Sequence, residues 1–322
     1  MSAGILCIGE CMVELAPDAA AGDGMYRQGF AGDTFNTAVY LARLRAGPVD
    51  YMTAVGTDPL SDRLVARLRD EGVGTGPVRR FADRAPGLYL IETDAAGERR
   101  FQYWRGASAA RAMLRGLDRA ALAEVLAPYA AVYLSGITLA VLEDEGRWPL
   151  LDALADWRRR GGRRFVAFDS NYRAVLWPDP AAAATAFRRA AAVSDVVLGT
   201  WDDDAALFGD AAPEDAAARW RDWGAATVVV RTGATGSLVA GPDGTRTRVA
   251  AAAHGRVVDT TGGGDSFNAG FLALFLAGAP AAKAAAFGHR VAGQVVTCPG
   301  AIMDRDRWDA VYPTLAGEEA GP

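Results

Sequence analysis

Lysine is almost absent: Lys283 stands alone among 34 basic residues, and the 322 residues include only two histidines and three cysteines. Each scarcity closes off a class of chemistry. A P-loop needs lysine directly before Ser or Thr, whereas Lys283 precedes Ala284 far down the chain. Cys7, Cys11 and Cys298 cannot form a disulfide framework and contain no C-x-x-C pair, so they read as buried thiols of a reducing compartment. His254 and His289 are far apart in the sequence and offer little to a histidine-rich metal site or a Ser-His-Asp triad. The apolar run Ala269–Ala282 is too short to span a membrane, and Ile5–Ile8 is too short for a signal-peptide core. Net charge is −5, with acids and bases interspersed, which leaves no basic stripe for nucleic acid. The expectation is a cytoplasmic protein that handles small molecules and engages neither membrane nor nucleic acid.

What the chain does contain is alternation. Apolar runs (Ile5–Gly9, Tyr51–Val55, Ala131–Ser135, Phe165–Asp169, Val196–Leu198, Thr227–Arg231) are separated by helix-like stretches such as Thr34–Arg45, Leu60–Glu71, Glu145–Arg160 and Ala181–Val193. This pattern predicts an α/β fold with a mostly parallel sheet and helices on both faces. The length suits a single domain over 1–322 with a small appendage. Residues 11–30 and 78–105 break the rhythm with period-2 patterns: Met12–Leu15, Leu88–Glu92, a turn at Ala95-Ala96-Gly97, and a return along Arg100–Trp104. They predict one small antiparallel sheet that projects as a lid. Further on come extended segments at Gly236–Ala240 and Thr245–Ala252, helices at Asp265–Ala277 and Ala281–Val296, and a frayed tail after Gly317.

The sharpest local feature is Asp259-Thr260-Thr261-Gly262-Gly263-Gly264-Asp265-Ser266-Phe267. It ends an extended stretch and opens a helix. Bare glycines and a helix start together expose backbone N–H groups at the positive end of a dipole, which suits phosphate. A tight turn with Asp265 as a cap would account for less of it, because capping does not require three glycines.

This string resembles the C-terminal signature D-T-x-G-A-G-D of ribokinase-like (PfkB) kinases, with Gly263 in place of the alanine. The resemblance continues in family order from Ile5 to Ile302. It implies a ribokinase-like three-layer sandwich with a mostly parallel central sheet and a small β-sheet lid. It also implies that Asp265 is the catalytic base and that Gly262, Gly263 and Gly264 form the anion hole. ATP and Mg²⁺ follow, with a monovalent cation such as K⁺ near Asp259 and Thr261; the metal ligands stay unassigned.

Phe30-Ala31-Gly32-Asp33-Thr34-Phe35-Asn36 is similar to the family's sugar-binding element G-G-x-x-x-N, with Ala31 in place of the first glycine. Gly32 permits close approach, and Asp33 and Asn36 offer hydrogen bonds; Asp33 also suits the N-cap of the following helix. Three further elements resemble those of the 2-keto-3-deoxygluconate kinase subgroup. Tyr103-Trp104-Arg105 matches its Tyr-x-Arg, Asp169-Ser170-Asn171-Tyr172-Arg173 its Asp-x-Asn-x-Arg, and Ser135–Ala140, with Ile137, its strand-to-helix turn. Arg105 and Arg173 near one pocket would hold a carboxylate through charge-assisted bonds, and Tyr89 and Tyr103 would cover the sugar. On the nucleotide side, Arg231, Thr232, Gly233 and Gly236 resemble the R-x-G-x-x-G loop beside ATP. Asn171 and Arg173 join that set, as does Thr200, which precedes Asp202, Asp203 and Asp204 where the family has Asn-x-x-Glu. The implied activity is ATP-dependent phosphorylation of 2-keto-3-deoxygluconate at its 6-hydroxyl. Kinases for fructose, ribose or the galactonate-derived acid are the alternatives, and a non-catalytic sensor is a further one that has no use for a base. The edges of the lid imply a homo-oligomer.

Overall fold

Successive side chains of a strand point to opposite faces, and here both faces are apolar. The computed structural model describes residues 4–319 other than 19, 23, 94–98, 143 and 254. The sequence-derived turn at Ala95–Gly97 and His254 therefore lie outside the described residues.

Eight strands form the central sheet in the order Arg246–Val249, Ser237–Ala240, Thr227–Arg231, Val196–Thr200, Phe165–Asp169, Tyr129–Ser135, Gly4–Ile8, Val49–Met52. From Thr227–Arg231 to Val49–Met52 every pairing is parallel; the last two strands at the other edge are antiparallel. Ile5, Cys7, Ala131, Tyr133, Ala167, Val196, Leu198 and Val229 face one core. Leu6, Ile8, Val132, Leu134, Val166, Phe168, Val197, Val228 and Val230 face the other. Burial of each such large side chain contributes about 1.5–3 kcal/mol, which is why the strands tolerate almost no polar residue. Helices Asp33–Arg43, Pro59–Asp70, Gly263–Leu276 and Ala281–Val295 cover the first face, bringing Phe35, Leu64, Phe271 and Phe287. Asp144–Arg159, Pro180–Val193 and Pro213–Asp222 cover the second with Leu150, Phe187 and Trp220. The three layers are those expected.

The helices expected from Thr34, Leu60, Glu145 and Ala181 each start one residue earlier, two of them at prolines, Pro59 and Pro180. Proline at the first helical position loses no hydrogen bond. Asp58 and Asp179 cap these helices, accepting from the amides of Ser61 and Ala182.

The second sheet has four strands in the order Tyr26–Ala31, Met12–Pro17, Leu88–Thr93, Arg99–Trp104. Its outer pairs are antiparallel, but Met12–Pro17 and Leu88–Thr93 run parallel, with Glu14 beside Tyr89. The expectation of a purely antiparallel sheet is corrected here. Two hairpins are joined through a crossover that contains two helices, so their inner strands point the same way. Arg79–Arg80, expected in this sheet, pairs instead with Ala54–Val55 beside the main body.

Candidate active site

The polar residues singled out in the sequence gather beyond the carboxyl ends of the parallel strands, where open α/β sheets bind ligands. The turn before helix Gly263–Leu276 shows why glycines are there. Gly262 has φ 75°, and a Cβ on it would lie 2.4 Å from the Ala301 carbonyl. A Cβ on Gly264 would lie 2.8 Å from Arg231 Nη1. At Gly263 a Cβ would meet only a Val296 methyl, at 3.1 Å, so the alanine of the family signature needs only a small side-chain adjustment here. The Asp259 carboxylate ties down the approach: Oδ1 accepts from the Thr261 amide and hydroxyl (3.0 and 2.7 Å), and Oδ2 from the Gly300 amide (2.6 Å).

Asp265 sits in the first turn of this helix. Asn36 Nδ2 donates to its Oδ2 at 2.8 Å, and the Thr37 hydroxyl donates to its carbonyl at 3.2 Å. Asp33 is not a cap, since Gly32 holds that position. Its Oδ2 accepts from Asn171 Nδ2 at 3.1 Å, and Asn171 reaches it with φ 28°. Few residues adopt this backbone geometry, and Asn tolerates it best. Burial, followed by the Asp33 charge, pushes the Asp265 carboxyl up to about 8; the Asn36 hydrogen bond opposes this.

Beneath the turn lies Arg231, 9% exposed. Its Nε donates to Gly199 O (3.2 Å), Nη1 to Gly264 O (2.9 Å) and Asn268 Oδ1 (3.0 Å), and Nη2 to Asp169 Oδ1 (3.0 Å) and Thr200 Oγ1 (2.9 Å). Asn268 in turn donates to Asp169 Oδ2 (2.8 Å) and to the Tyr133 hydroxyl (3.0 Å). The loop that follows Arg231 closes on itself: Thr232 Oγ1 donates to Gly236 O at 3.0 Å, and Gly233–Thr235 makes one 3-10 turn.

On the small sheet, Tyr103 stands opposite Tyr89. The Arg105 guanidinium lies 5.8 Å from the Tyr103 ring centroid. Burial raises the Tyr103 phenol, while Arg105 and then Arg173 pull it down, so the fields of both arginines meet at this residue. Each arginine already has a carboxylate: Arg105 pairs with buried Glu10, and Arg173 with Asp203 at 3.4 Å. Tyr89 gives its hydroxyl to Glu14. Burial raises Asp203, with Arg173 opposing. Of the neighbouring acids, Asp204 turns inward to Trp220 Nε1 (3.0 Å) and Arg219, and Asp202 is exposed. Ile137 occupies the first turn of Gly136–Val141, where a Cβ on Gly136 would lie 2.0 Å from Ser170 O.

Residues 2–307 match the model of the pfkB family carbohydrate kinases. The chain belongs to that family. It is 41% identical over 315 residues to 2-dehydro-3-deoxygluconokinase of Escherichia coli K12, covering 96% of this chain and all of that protein. It is 40% identical over 304 residues to the enzyme of the same name from Dickeya dadantii, covering 93% and 96%. Among solved structures, a PfkB protein from Polaromonas sp. JS666 superposes with a TM-score of 0.80 at 25% identity over both whole chains. The 2-dehydro-3-deoxygluconokinase of Thermotoga maritima gives 0.77 at 23% identity, covering 96% of this chain and 99% of that one. The latter likeness bears on the fold.

In this pfkB-family chain, Asp265, Asn36 and Asp33 lie together, and Asn171, expected beside the nucleotide, donates to Asp33 on the sugar side. Arg231 does not stand open to a ligand; its guanidinium is a strut beneath the glycine turn, and Thr200 completes it. Tyr89 presents its ring, its hydroxyl being committed to Glu14. Sequence reasoning assigned no role to Asn268, Tyr133, Glu10 or Glu14. Asn268 had a signal, since it lies three residues after Asp265 on the same helix face.

Two outcomes follow for Asp265. The kcat/KM profile is expected to rise with pH through a group near 8, and Asp265→Asn to lose turnover at every pH. The folded pKa lies above the unfolded one, so this group stabilises the protein below about pH 4 and loses that contribution as pH rises to about 8. Thermal melts should therefore show Asp265→Asn gaining on the parent protein between pH 5 and 8 and level above. Near-normal turnover in the variant would remove Asp265 from the role of base, and a constant gap would show that its carboxyl is not raised.

Proposed function

We propose that this carbohydrate kinase transfers the γ-phosphoryl group of ATP to the 6-hydroxyl of 2-keto-3-deoxygluconate, giving 2-keto-3-deoxy-6-phosphogluconate. The observation that carries the chemistry is a single carboxylate, Asp265, held by Asn36 at the start of the helix that the glycine turn opens. The substrate class rests on Arg105 and Arg173 with Tyr103 between their fields, and on relatives named for this sugar acid.

Asp265 accepts the proton of the attacking hydroxyl, and a base near pH 8 is strong enough to do so while remaining partly ionised at working pH. Of the expected anion hole Gly262–Gly264, the Gly263 amide donates to Thr260 O at 3.1 Å, so the helix-start N–H groups at Gly264 and Asp265 stabilise charge on the transferring group beside Gly262. Asp33 and Asn171 orient the sugar hydroxyls, and the arginines hold its carboxylate. The small sheet serves as a lid that excludes water. Thr232, Gly233 and Gly236 border the nucleotide. Mg²⁺ bound to ATP supplies charge neutralisation on the phosphates. Such an ion uses one or two carboxylates plus phosphate oxygens, which fits a site where Asp203 is near and no three described acids, histidines or cysteines converge. No described helix is long and apolar enough to cross a membrane; a cytoplasmic location, with ATP and three free buried cysteines, belongs to the same reading.

A coupled ADP-release assay over 2-keto-3-deoxygluconate, its galactonate epimer, fructose, ribose and gluconate tests the substrate. Arg105→Ala and Arg173→Ala should each raise KM for the keto-deoxy acids about tenfold or more, the cost of a lost charge-assisted bond, and leave neutral sugars unaffected. Preference for a neutral sugar overturns the arginine argument and leaves Asp265 in place. A second copy of the chain is proposed to cover exposed Met25, Tyr26 and Trp104 on the small sheet. Light scattering should then report an oligomer that Trp104→Arg dissociates; a monomeric parent protein removes this proposal. A K⁺ ion beside Asp259 and Thr261 is the remaining proposal, and equal rates in potassium and tetramethylammonium buffers would exclude it.

A further inference from the structure

Glu10 has no part in the chemistry described above, yet it is the most completely enclosed acid near the sugar side: its side chain is 0% exposed. It follows the strand Gly4–Ile8 and touches both halves of the site. Its carbonyl lies beneath the sugar-binding turn, where a Cβ on Gly32 would come within 2.2 Å of it. Its side chain reaches the small sheet, with Oε2 accepting from Arg105 Nη2. The other oxygen, Oε1, has no hydrogen-bond partner, and neither has Arg105 Nε; both are buried. Unmet buried polar groups are rare, and here an orphan acceptor and an orphan donor belong to the two members of one ion pair. Space for that pair depends on Gly87, where a Cβ would lie 2.8 Å from Glu10 Oε1 and 3.2 Å from Arg105 Cβ.

We infer that Glu10 is a positioning residue for acidic sugars: it holds Arg105 through Nη2 and leaves Nη1 for the substrate carboxylate. The Arg105 side chain is only 11% exposed. Without a counter-charge, a cation so enclosed would swing towards water or the Tyr103 ring. Fixed by Glu10, it meets the substrate already ordered, so binding does not have to bear the entropy of immobilising it. One arm of the Glu10–Arg105 fork, Nη2 to Oε2, is made, and the two orphan atoms belong to the other arm. The inference rests on the reading of Arg105 as a carboxylate ligand.

Steady-state kinetics on the full chain test it. Glu10→Gln should raise KM for 2-keto-3-deoxygluconate about tenfold, as for a loosened charge-assisted contact. It should keep kcat within about threefold, because an interaction equal in ground and transition states moves KM alone. Any rate with a neutral sugar should stay unchanged. Placed on Arg105→Ala, the same substitution should add nothing further to KM, since residues that act through one another are not additive. Gly87→Ala presses a methyl group against Glu10 Oε1 without removing a charge, and should give the same KM-weighted loss even if Glu10→Gln does not fold. A loss confined to kcat, an equal loss with neutral sugars, or full additivity with Arg105→Ala would overturn the role of Glu10. If Arg105→Ala itself leaves KM for the acid unchanged, the Arg105 reading fails and this inference with it. If Arg105→Ala raises KM but neither Glu10→Gln nor Gly87→Ala does, the inference about Glu10 fails alone.

Discussion

All five N–H donors of Arg231 are used inside the protein, and the geometry of the site depends on that one guanidinium. It ties the ends of strands Val196–Thr200 and Phe165–Asp169 to the first turn of helix Gly263–Leu276. Lysine, with three donors on a single point, could not span these acceptors. The position of the glycine turn therefore follows from the end of strand Thr227–Arg231 beneath it. The glycine at 264 is in turn required by the guanidinium that passes beneath it.

The same cation also makes an acidic cluster tolerable. Asp169 and Asp265 both feel its charge, which opposes the rise that burial causes in each. A buried ion pair rarely adds net stability, because desolvation offsets the attraction. Its contribution here is to placement: bonded to Asp169 Oδ1 and to Gly264 O, the cation fixes the turn that carries Asp265 against the strand end that carries Asp169, while its charge partly offsets the upward shift of Asp265. The polar chain Arg231–Asn268–Tyr133–Thr37 carries this order to helix Asp33–Arg43, which bears Asp33 and Asn36. Satisfied networks of this kind are rigid as well as specific.

Much of this was legible in the amino-acid sequence, for physical reasons that also explain what was not. Strands buried on both faces appear as unbroken apolar runs, so Phe165–Asp169 and Thr227–Arg231 match the structure residue for residue. A glycine triplet before an acid at a helix start marks itself, and so does an Asp directly after the glycine of the sugar element. Arg231 did not declare its direction, because an arginine at a strand end can point to solvent or to the core without any change in local pattern. Glu10 and Arg105 are 95 residues apart, and no local spacing encodes such a partner. The parallel pairing at the centre of the small sheet was equally hidden. Each hairpin is a local event, whereas their union depends on how the intervening helices fold back.

The two rims of the large sheet carry a consequence for the protein in a crowded solution. One rim is the four-residue strand Arg246–Val249, whose arginines at 246 and 248 are exposed. The other, Val49–Met52, already exchanges backbone hydrogen bonds with Gly74, from Gly74 N to Val49 O at 2.8 Å and from Tyr51 N to Gly74 O at 3.0 Å. A short charged border and a sealed one give a neighbouring chain little to zip onto. This chain is thus shielded from runaway strand addition, the usual hazard of a broad sheet, without a disulfide or a bulge devoted to that purpose.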